Sequence, residues 1–548
     1  MAEIHERQTM RVQVSPKTIE KASRLFNATL TDVINELLQN SRRAAASRID
    51  IEITKAGDRA WLTFEDDGNG IFNNGISIVL GESNWDEKTL NSEDPAGMGI
   101  FALASRGAII ESAMQRVALT EAHFCGREEF TVERSDRAVG TKISFALSSE
   151  ELQSIHKIVE SCAYYYPLPV YFARNVVKQS KFLQAALYRY IWHGLSIGVV
   201  SSWESSRINF YGLVVNQKLP KIQLVEGSQF GVQVEIINAP ELKLVLPTRK
   251  EVVKNEFFQA LQQECYRTIY RYIASLESHQ LSYEDWQQAN ALGVNLPEAK
   301  QRLKLYEPAR ADGNNYLPCK REVIKANALI VTADLSPPQA QTLWRGLNQA
   351  DFDYVLYKPE EKYQGYYWYD NLPTLSEITF SLEKDSQVQS FDAGLELLNG
   401  ERPDAIWVTG TLTYPERNIQ QLQFKTDVAF NEDEVSFSYD LNEVATIFVS
   451  QDSKIGVAEL ADLIEAAFFN PSDDIEADSH HTQREDFMET AAAISAEVLL
   501  STEEALTERI QLVVERHLRW LIPCDRAVEI AIDEKVCVKL KQRKTKTS

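Results

Sequence analysis

The sequence predicts a mixed α/β fold, of the α/β (α+β) class, distributed over several domains. Apolar residues recur at helical spacing between positions 30 and 38, and isoleucines alternate with acidic residues between positions 49 and 53. A chain of 548 residues is too long to fold around one hydrophobic core, so we expect three or more domains. The content of 44% hydrophobic and 25% charged residues is typical of a globular protein.

Charge and the N-terminal sequence limit the classes of partner. The net charge of −22 repels a phosphate backbone, so broad binding to nucleic acid is not favoured, although a local basic groove stays open as an alternative. The chain begins without an apolar run that fits a signal peptide, and no stretch is apolar enough to span a bilayer. We therefore expect a cytoplasmic protein without a membrane partner. Six scattered cysteines without a Cys-x-x-Cys pair indicate reduced thiols.

Glu36 and Asn40 lie four residues apart in the predicted N-terminal helix and therefore on one side of it. A carboxylate there can orient and deprotonate a water molecule. A carboxamide oxygen can ligate a hard cation such as magnesium. Taken alone, such a pair is more often part of a solvated helix face.

An acidic, glycine-containing loop, Asp66-Asp67-Gly68-Asn69-Gly70-Ile71, follows the second predicted strand, residues 60–65. Its glycines let a ligand approach the backbone beside an exposed carboxylate, although a plain β-turn has the same composition. Gly140 and Thr141 begin a later predicted strand, 141–147. A threonine hydroxyl beside a carboxylate can fix the orientation of that carboxylate.

A second glycine turn, Gly97-Met98-Gly99, opens another predicted helix. Backbone amides at a helix N-terminus can bind an anion, and glycine lets a phosphate come close. The charged segment 81–94 before it is long enough to act as a lid. Lys88 in that segment could reach a phosphate, although a solvated lysine is the commoner case.

These motifs follow one another in a fixed order between residues 36 and 141. The ordered set resembles the GHKL ATPase superfamily, which includes gyrase, the ninety-kilodalton heat-shock chaperones, histidine kinases and MutL. The resemblance implies a Bergerat-fold α/β sandwich over residues 1–150 that binds ATP and magnesium. Glu36 would be the general base and Asn40 the magnesium ligand.

The remaining positions of the motifs would hold the nucleotide. Asp66 would accept a hydrogen bond from the adenine amino group, with Thr141 supporting it through water. Gly70 would let adenine lie against the backbone, beside Gly68 and Ile71. The phosphates would be wrapped by the lid and its glycine turn, namely Lys88, Gly97, Met98 and Gly99.

The sequence departs from the family pattern at Arg43, where many relatives have aspartate. We interpret Arg43 as a surface arginine, with pairing to an acidic neighbour or a place near the phosphates as alternatives. Histidine kinases lack the glutamate base and carry a phospho-acceptor histidine on a preceding helix. Here Glu36 is present and only His5 precedes the motifs, so hydrolysis is favoured over autophosphorylation.

Residues 151–277 are rich in predicted strands, among them 195–201, 208–215 and 242–246, and end in a long predicted helix, 255–276. A strand, a basic loop and a helix resemble the transducer domain of gyrase and MutL. The resemblance implies that Arg249 contacts the γ-phosphate, with Lys250 as the neighbouring candidate. A basic loop that only pairs with Glu251 is the alternative.

The remainder carries no recognised catalytic motif. We expect an α/β region of unknown role at 278–470, beginning with a polar helical connector at 281–318. An acidic linker, a helical region and a basic tail follow at 471–548. A β-hairpin is predicted around residues 431–433. The aromatic cluster at 363–369 is interpreted as packing or a partner interface rather than a base-stacking surface.

The function expected from the sequence is a magnesium-dependent ATPase with slow turnover. ATP would close the protein or join two N-terminal domains into a homodimer, and the C-terminal half would control a protein partner or client, in a chaperone-like manner. Two alternatives are a nucleotide-gated scaffold that hydrolyses little ATP and a DNA-transaction clamp like MutL.

Overall fold

The structure, a computed structural model, describes residues 29–56, 59–71, 99–245, 250–313, 321–350, 352–391, 401–416, 418–432, 445–474, 477–523, 526–532 and 536–542. It divides the chain into two compact units, residues 1–299 and residues 300–548. A helix predicted at 16–26 and the lid at 81–94 lie outside the described residues. Within them, no helix is long and apolar enough to cross a membrane.

The first half of unit 1 is an α/β sandwich, as predicted. Its described strands join in the order β5-β4-β3-β6-β2-β1-β7-β8, with β7 parallel to β1. The helices are α1 (Leu30–Arg43), α2 (Glu121–Phe124) and α3 (Ser149–Ala163). The strands are β1 (Ile49–Ala56), β2 (Arg59–Asp66), β3 (Ala108–Ser112), β4 (Gln115–Leu119), β5 (Val132–Arg134), β6 (Thr141–Leu147), β7 (Val170–Phe172) and β8 (Asn175–Val176).

One hydrophobic core joins this sheet to α1 and α3. Burial alternates along β6 because every second side chain of a strand points to the same face. The apolar stripe predicted on α1 is buried in the same core, where it packs with alternate residues of β1 and β2. Thr29 caps α1 in a capping box with Asp32, which fixes where the helix begins.

The second half of unit 1 is a sheet with a long helix, α4 (Glu256–Ala274), and a shorter one, α5 (Tyr283–Ala291). Its strands join in the order β12-β11-β14-β10-β9, with β13 paired to β14. They are β9 (Tyr188–Trp192), β10 (Leu195–Ser201), β11 (Arg207–Phe210), β12 (Leu213–Asn216), β13 (Lys221–Gln223) and β14 (Gln229–Ile236).

Two strand predictions in this half are wrong. The predicted strand 208–215 is a hairpin of β11 and β12, because Tyr211 and Gly212 have φ values of +53° and +103° and turn the chain. In the described part of 242–246, the chain makes only an isolated bridge between Leu244 and Val252. The domain boundaries predicted at 150 and 277 remain predictions, although the first sheet takes in β7 and β8.

Unit 2 contains a mixed sheet in the order β18-β17-β19-β21-β22, with β20 on β19, and three two-stranded sheets. Its strands are β15 (Arg302–Lys304), β16 (Arg321–Val323), β17 (Ala328–Val331), β18 (Val355–Tyr357), β19 (Thr374–Lys384), β20 (Gln387–Ser390), β21 (Ala405–Thr413), β22 (Ile419–Thr426), β23 (Val428–Glu432), β24 (Ala445–Val449), β25 (Arg526–Ile532) and β26 (Val536–Gln542). Its α-helices are α6 (Pro337–Gln349), α7 (Tyr367–Asp370), α8 (Val457–Phe468), α9 (His480–Leu499) and α10 (Thr502–Val513).

Several predictions after residue 278 need correction. In the described residues 281–313, the connector is helical only in α5, and it contains the strand β15. The second strand expected for the hairpin around 431–433 lies at 434–441, outside the described residues. Within them, β22 pairs with β21, and β23 pairs with β24. Arg345 holds Asp427 at the corner between β22 and β23. The basic tail is strand β26 as far as Gln542.

The aromatic cluster at 363–369 packs inside unit 2. Four of its rings are buried, each at most 7% exposed, and only Tyr367 is open to solvent at 76%. Buried rings cannot stack on bases, so the packing interpretation is confirmed for the four. Among the described cysteines, Cys125, Cys162 and Cys265 are buried, as expected of core thiols, and Cys537 is exposed.

Candidate functional site

Helix α1 aligns Glu36, Asn40 and Arg43 along one side, since positions i, i+4 and i+7 lie on the same face of a helix. The Glu36 side chain is 14% exposed. Arg43 Nη1 donates a hydrogen bond of 3.1 Å to Asn40 Oδ1 and lies 3.8 Å from Glu36 Oε1. The structure therefore brings the predicted base and the predicted metal ligand together around one guanidinium.

Arg43 is not the surface arginine that we expected. Only 6% of its side chain is exposed, because it lies back along its own helix towards Asn40. The alternative of pairing with an acidic neighbour is confirmed by its ion pair with Glu36. The spacing of three residues to Asn40 and seven to Glu36 was the signal in the sequence that could have indicated this contact.

Asp66 ends β2 and is buried, at 7% exposed. Its Oδ1 atom accepts hydrogen bonds from the amides of Gly68 (3.0 Å) and Thr141 (3.3 Å), because β2 and β6 pair with Asp66 opposite Thr141. Burial raises the pKa of the Asp66 carboxyl, and these bonds, one from Ser41 and the charge of Arg137 oppose the rise. The backbone amide of Thr141 thus holds the carboxylate, and the predicted role of its hydroxyl stays a prediction.

Ser41 connects this carboxylate to helix α1 and was missed in the sequence. Its Oγ atom donates to Asp66 Oδ2 at 3.0 Å and lies 3.1 Å from the Leu37 carbonyl oxygen. Ser41 directly follows Asn40 in the chain. The hydrogen bond of Ser41 therefore links Asp66, the predicted adenine contact, to the helix that carries Glu36 and Asn40.

Glycine is required where the Asp66 loop passes the end of α1. A Cβ atom on Gly68 would lie 2.7 Å from the Ala44 carbonyl oxygen, so a side chain does not fit there. Gly70 has a φ of +83°, in the left-handed region that favours glycine. Gly68 thus keeps the loop backbone close to the helix, and the approach of adenine to Gly70 stays a prediction.

A second missed residue, Ser112, fixes the far side of the loop. The Ile71 amide donates to Ser112 Oγ at 3.0 Å, and this hydroxyl donates to the Gly140 carbonyl at 2.9 Å. Ser112 is fully buried at the end of β3. Serine at the end of a strand carries no distinctive pattern, so nothing in the sequence indicated this role.

The phosphate end of the predicted site is described only in part. Gly97, Met98 and Lys88 lie outside the described residues. Gly99 begins a 3₁₀ helix of five residues, Gly99–Leu103, instead of the α-helix that the sequence predicts. The chain leaves this helix through Gly107, whose φ of +71° ends it.

Residues of the second half of unit 1 hold the other side of α1. Gln39 Nε2 donates to the carbonyls of Phe210 (3.3 Å) and Tyr211 (3.0 Å), and the Arg42 guanidinium lies 3.9 Å from the centre of the Tyr211 ring. The Tyr166 hydroxyl donates to the Leu38 carbonyl at 2.6 Å. The helix of the site is therefore attached to the β11–β12 turn.

Of the two predicted γ-phosphate cations, the structure describes Lys250 and not Arg249. Lys250 Nζ lies 3.9 Å from Asp32 Oδ1, one turn before Glu36 on α1, and its side chain is 69% exposed. An exposed pair at this distance contributes little stability. The pair does place Lys250 beside the face of the helix that carries Glu36.

Asn40 offers the amide oxygen that the magnesium prediction requires. That oxygen already accepts from Arg43, and in the described part of the chain no group of three or more histidine, cysteine, aspartate or glutamate side chains could hold a metal ion. The donor set present is thus one amide oxygen beside a carboxylate and a guanidinium.

Comparison with known families gives the identity of this region. The sequence profile of the histidine kinase-, DNA gyrase B- and HSP90-like ATPases matches residues 27–151. Residues 27–151 form a GHKL ATPase domain. This match confirms the resemblance inferred from the ordered motifs. The motifs run from Glu36 to Thr141 and lie within the matched residues.

Two solved structures are similar to a larger part of the chain. They are the ATPase region of Saccharomyces cerevisiae topoisomerase II and the same region bound to ICRF-187 (dexrazoxane). Each is 14% identical with a TM-score of 0.29, and the matches cover 42% and 41% of this chain and 76% and 77% of the topoisomerase chains. So low a TM-score adds nothing to the family match. No curated protein matches the chain.

Proposed function

We propose that the chain is an ATP-binding and ATP-hydrolysing switch, which closes or dimerises through its GHKL domain when ATP is bound and thereby controls a protein partner. One observation carries the proposal. Ser41 links the buried Asp66 carboxylate to the helix on which Glu36 and Asn40 lie side by side. ATP suits both ends, because it combines an amino group that can donate to Asp66 with a hydrolysable terminal phosphate for the end at Glu36.

Each residue has a defined part in this proposal. Asp66 accepts from the adenine amino group, while its own amide partners keep the carboxylate in place. Glu36 orients and deprotonates the attacking water. Magnesium, when bound, neutralises phosphate charge, with Asn40 as its proposed protein ligand. Gly68, Gly70, Ile71 and Thr141 shape the adenine end, and Lys88, Gly97, Met98 and Gly99 the phosphate end.

The basic loop before α4 is the proposed sensor of the γ-phosphate. A cation supplied from outside the GHKL domain can bind the terminal phosphate and lose that partner after hydrolysis. The contact of Lys250 with Asp32 supports this, because it places Lys250 beside the face of α1 that carries Glu36. Arg249 and Lys250 are both retained as candidates, and residues 151–277 are proposed to act as the transducer.

The first experiment is the solution mass of Glu36→Ala, measured by light scattering with magnesium and either ATP or ADP. This variant should bind ATP without consuming it, and Glu36→Gln is the isosteric control. A monomer with ADP that becomes a dimer with ATP would support the switch. A mass that ATP does not change, with binding verified by calorimetry, would refute ATP-gated dimerisation.

Hydrolysis itself is tested separately by phosphate release. The wild type should be slow, and Glu36→Ala should be slower by a factor of about 10² to 10⁴, the usual contribution of a general base. An Asp66→Asn variant that loses its cellular function while Glu36→Ala keeps it would favour a nucleotide-gated scaffold. Salt-sensitive DNA binding that requires ATP would favour a DNA clamp, which the charge of −22 opposes.

A further inference from the structure

Arg43 lies beside Glu36, the proposed general base, and Asn40, the proposed magnesium ligand. Its Nη1 atom is 3.1 Å from Asn40 Oδ1 and 3.8 Å from Glu36 Oε1. With 6% of its side chain exposed, the guanidinium is ordered in this position before any nucleotide arrives. Because arginine does not lose its proton in proteins, the site contains a permanent positive charge.

The same arrangement suits a divalent cation poorly. Magnesium binds oxygen at about 2.1 Å, so a metal on Asn40 Oδ1 would lie within about 5 Å of the guanidinium nitrogen that donates to the same atom. Two cations at that separation repel each other strongly in a partly buried site. Glu36 offsets part of this charge, but the described residues contain no group of three or more histidine, cysteine, aspartate or glutamate side chains that could hold a metal ion.

A polyphosphate nevertheless needs a positive charge at this place. It would come close to the Glu36 carboxylate in a chain whose net charge is −22, which opposes its binding. Guanidinium groups bind phosphate oxygens through charge-assisted and often bidentate hydrogen bonds. Arg43 is already held beside Glu36, so its side chain loses little entropy when the guanidinium also donates to a phosphate.

We propose that Arg43 provides the charge balance for nucleotide binding that magnesium would otherwise provide, so that this chain binds ATP without a divalent cation. The proposal rests on the proposed ATP-binding function and concerns the binding step alone. Magnesium remains the proposed cofactor of hydrolysis, and its ligation by Asn40 requires the guanidinium of Arg43 to leave the Asn40 oxygen. Arg43 thereby acts as a binding residue for the phosphates, with Asn40 holding it in position.

The test is a calorimetric titration of the full chain with AMP-PNP, a non-hydrolysable ATP analogue, in excess magnesium and in excess EDTA. The wild-type dissociation constant should change by less than about threefold between the two buffers. Arg43→Gln should bind in magnesium but lose about ten- to hundredfold affinity in EDTA, the loss expected for one charge-assisted contact. Arg43→Lys keeps the charge and should retain most of the affinity in EDTA.

Arg42→Gln is the matched control. Arg42 is the neighbouring arginine of the same helical turn, but its guanidinium lies over the Tyr211 ring, so its removal should leave the magnesium dependence as in the wild type. The circular dichroism and thermal midpoint of each variant establish that it is folded.

Two results would overturn the proposal. One is a wild-type affinity that falls tenfold or more in EDTA, which needs no variant. The other is an equal magnesium dependence in the wild type and in folded Arg43→Gln. A wild type that binds AMP-PNP in neither buffer would refute the underlying ATP-binding function instead, so the two failures are distinguishable.

Discussion

Replacing Asp66 by asparagine is expected to stabilise the fold near neutral pH and to abolish nucleotide binding. Asp66 is 7% exposed, and burial raises the pKa of its carboxyl above the ordinary value. A group whose pKa is raised in the folded state stabilises the fold below its unfolded pKa, and this contribution is lost as the pH rises through the folded pKa. At neutral pH the charged Asp66 carboxylate therefore destabilises the fold.

Asparagine fits the same contacts without the charge. Its Oδ1 can accept from the amides of Gly68 and Thr141, and its amide nitrogen can donate to Ser41 Oγ, now 3.0 Å from the carboxylate. The Ser41 hydroxyl then donates to the Leu37 carbonyl, 3.1 Å away. Because every polar atom keeps a partner, we expect the free energy of unfolding at neutral pH to rise by about 1 kcal/mol.

The effect on binding has the opposite sign. The asparagine amide presents a donor where the adenine amino group requires an acceptor, so affinity for AMP-PNP should fall about a hundredfold or more. Urea unfolding across a pH series and calorimetric titration measure the two effects. The stability gain should grow as the pH rises and vanish in acid, where both side chains are neutral.

The neighbouring Asp67 is the matched control. Although partial desolvation acts the other way, hydrogen bonds from the side chain and amide of Ser47 and from the Arg48 amide hold the pKa of the Asp67 carboxyl below its ordinary value. Its stabilising contribution is present at neutral pH and lost in acid, so Asp67→Asn should destabilise the fold and leave binding unchanged. An Asp66→Asn protein that is less stable than the wild type at neutral pH would refute the reasoning.

Three further predictions concern single contacts. Gly140→Ala should lower the free energy of unfolding by about 3 kcal/mol or more, because φ is +72° and the new Cβ would lie 1.9 Å from a backbone oxygen. Gly126→Ala is the control, because φ is +66° but no atom lies within 4 Å, and it should lower the free energy of unfolding by about 1 kcal/mol. A similar loss in the two variants would contradict the steric argument. Tyr166→Phe removes a 2.6 Å hydrogen bond to the Leu38 carbonyl of α1 and should lower the free energy of unfolding by about 1–2 kcal/mol. An unchanged urea midpoint would contradict this prediction. Iodoacetamide followed by mass spectrometry should label exposed Cys537 in the native protein and not Cys162, where burial raises the pKa of the thiol to about 12.

Local periodicity predicted the elements that frame the site. Strand β6 has the bounds expected from its alternation, and α1 lies where its apolar stripe predicted a helix. The hairpin of β11 and β12 was read as one strand because Tyr211 carries no turn signal of its own. Its carbonyl oxygen and its ring contact Gln39 and Arg42 of α1, and a single sequence does not contain such tertiary contacts.

The predicted site was less complete than the predicted fold. The ordered motifs gave Glu36, Asn40, Asp66 and Thr141 as candidates, since each belongs to the family pattern, and their roles stay predictions. Ser41 entered no motif, although it makes the hydrogen bond that joins them. Arg43 was assigned to the surface because a charged residue late in a helix is usually solvated. In the structure its guanidinium contacts Asn40 and Glu36 of the same helix.

The pairing of β1 with β7 means that the segment recognised by the family profile is shorter than the segment that folds cooperatively. The profile ends at residue 151, but β1 pairs with Val170–Phe172, and α1 is bonded by Tyr166 and the turn at Tyr211. A fragment cut at 151 would expose the backbone of β1 as an open edge, a template for aggregation. Amide hydrogen exchange in α1 therefore reports the integrity of both sheets of unit 1 at once.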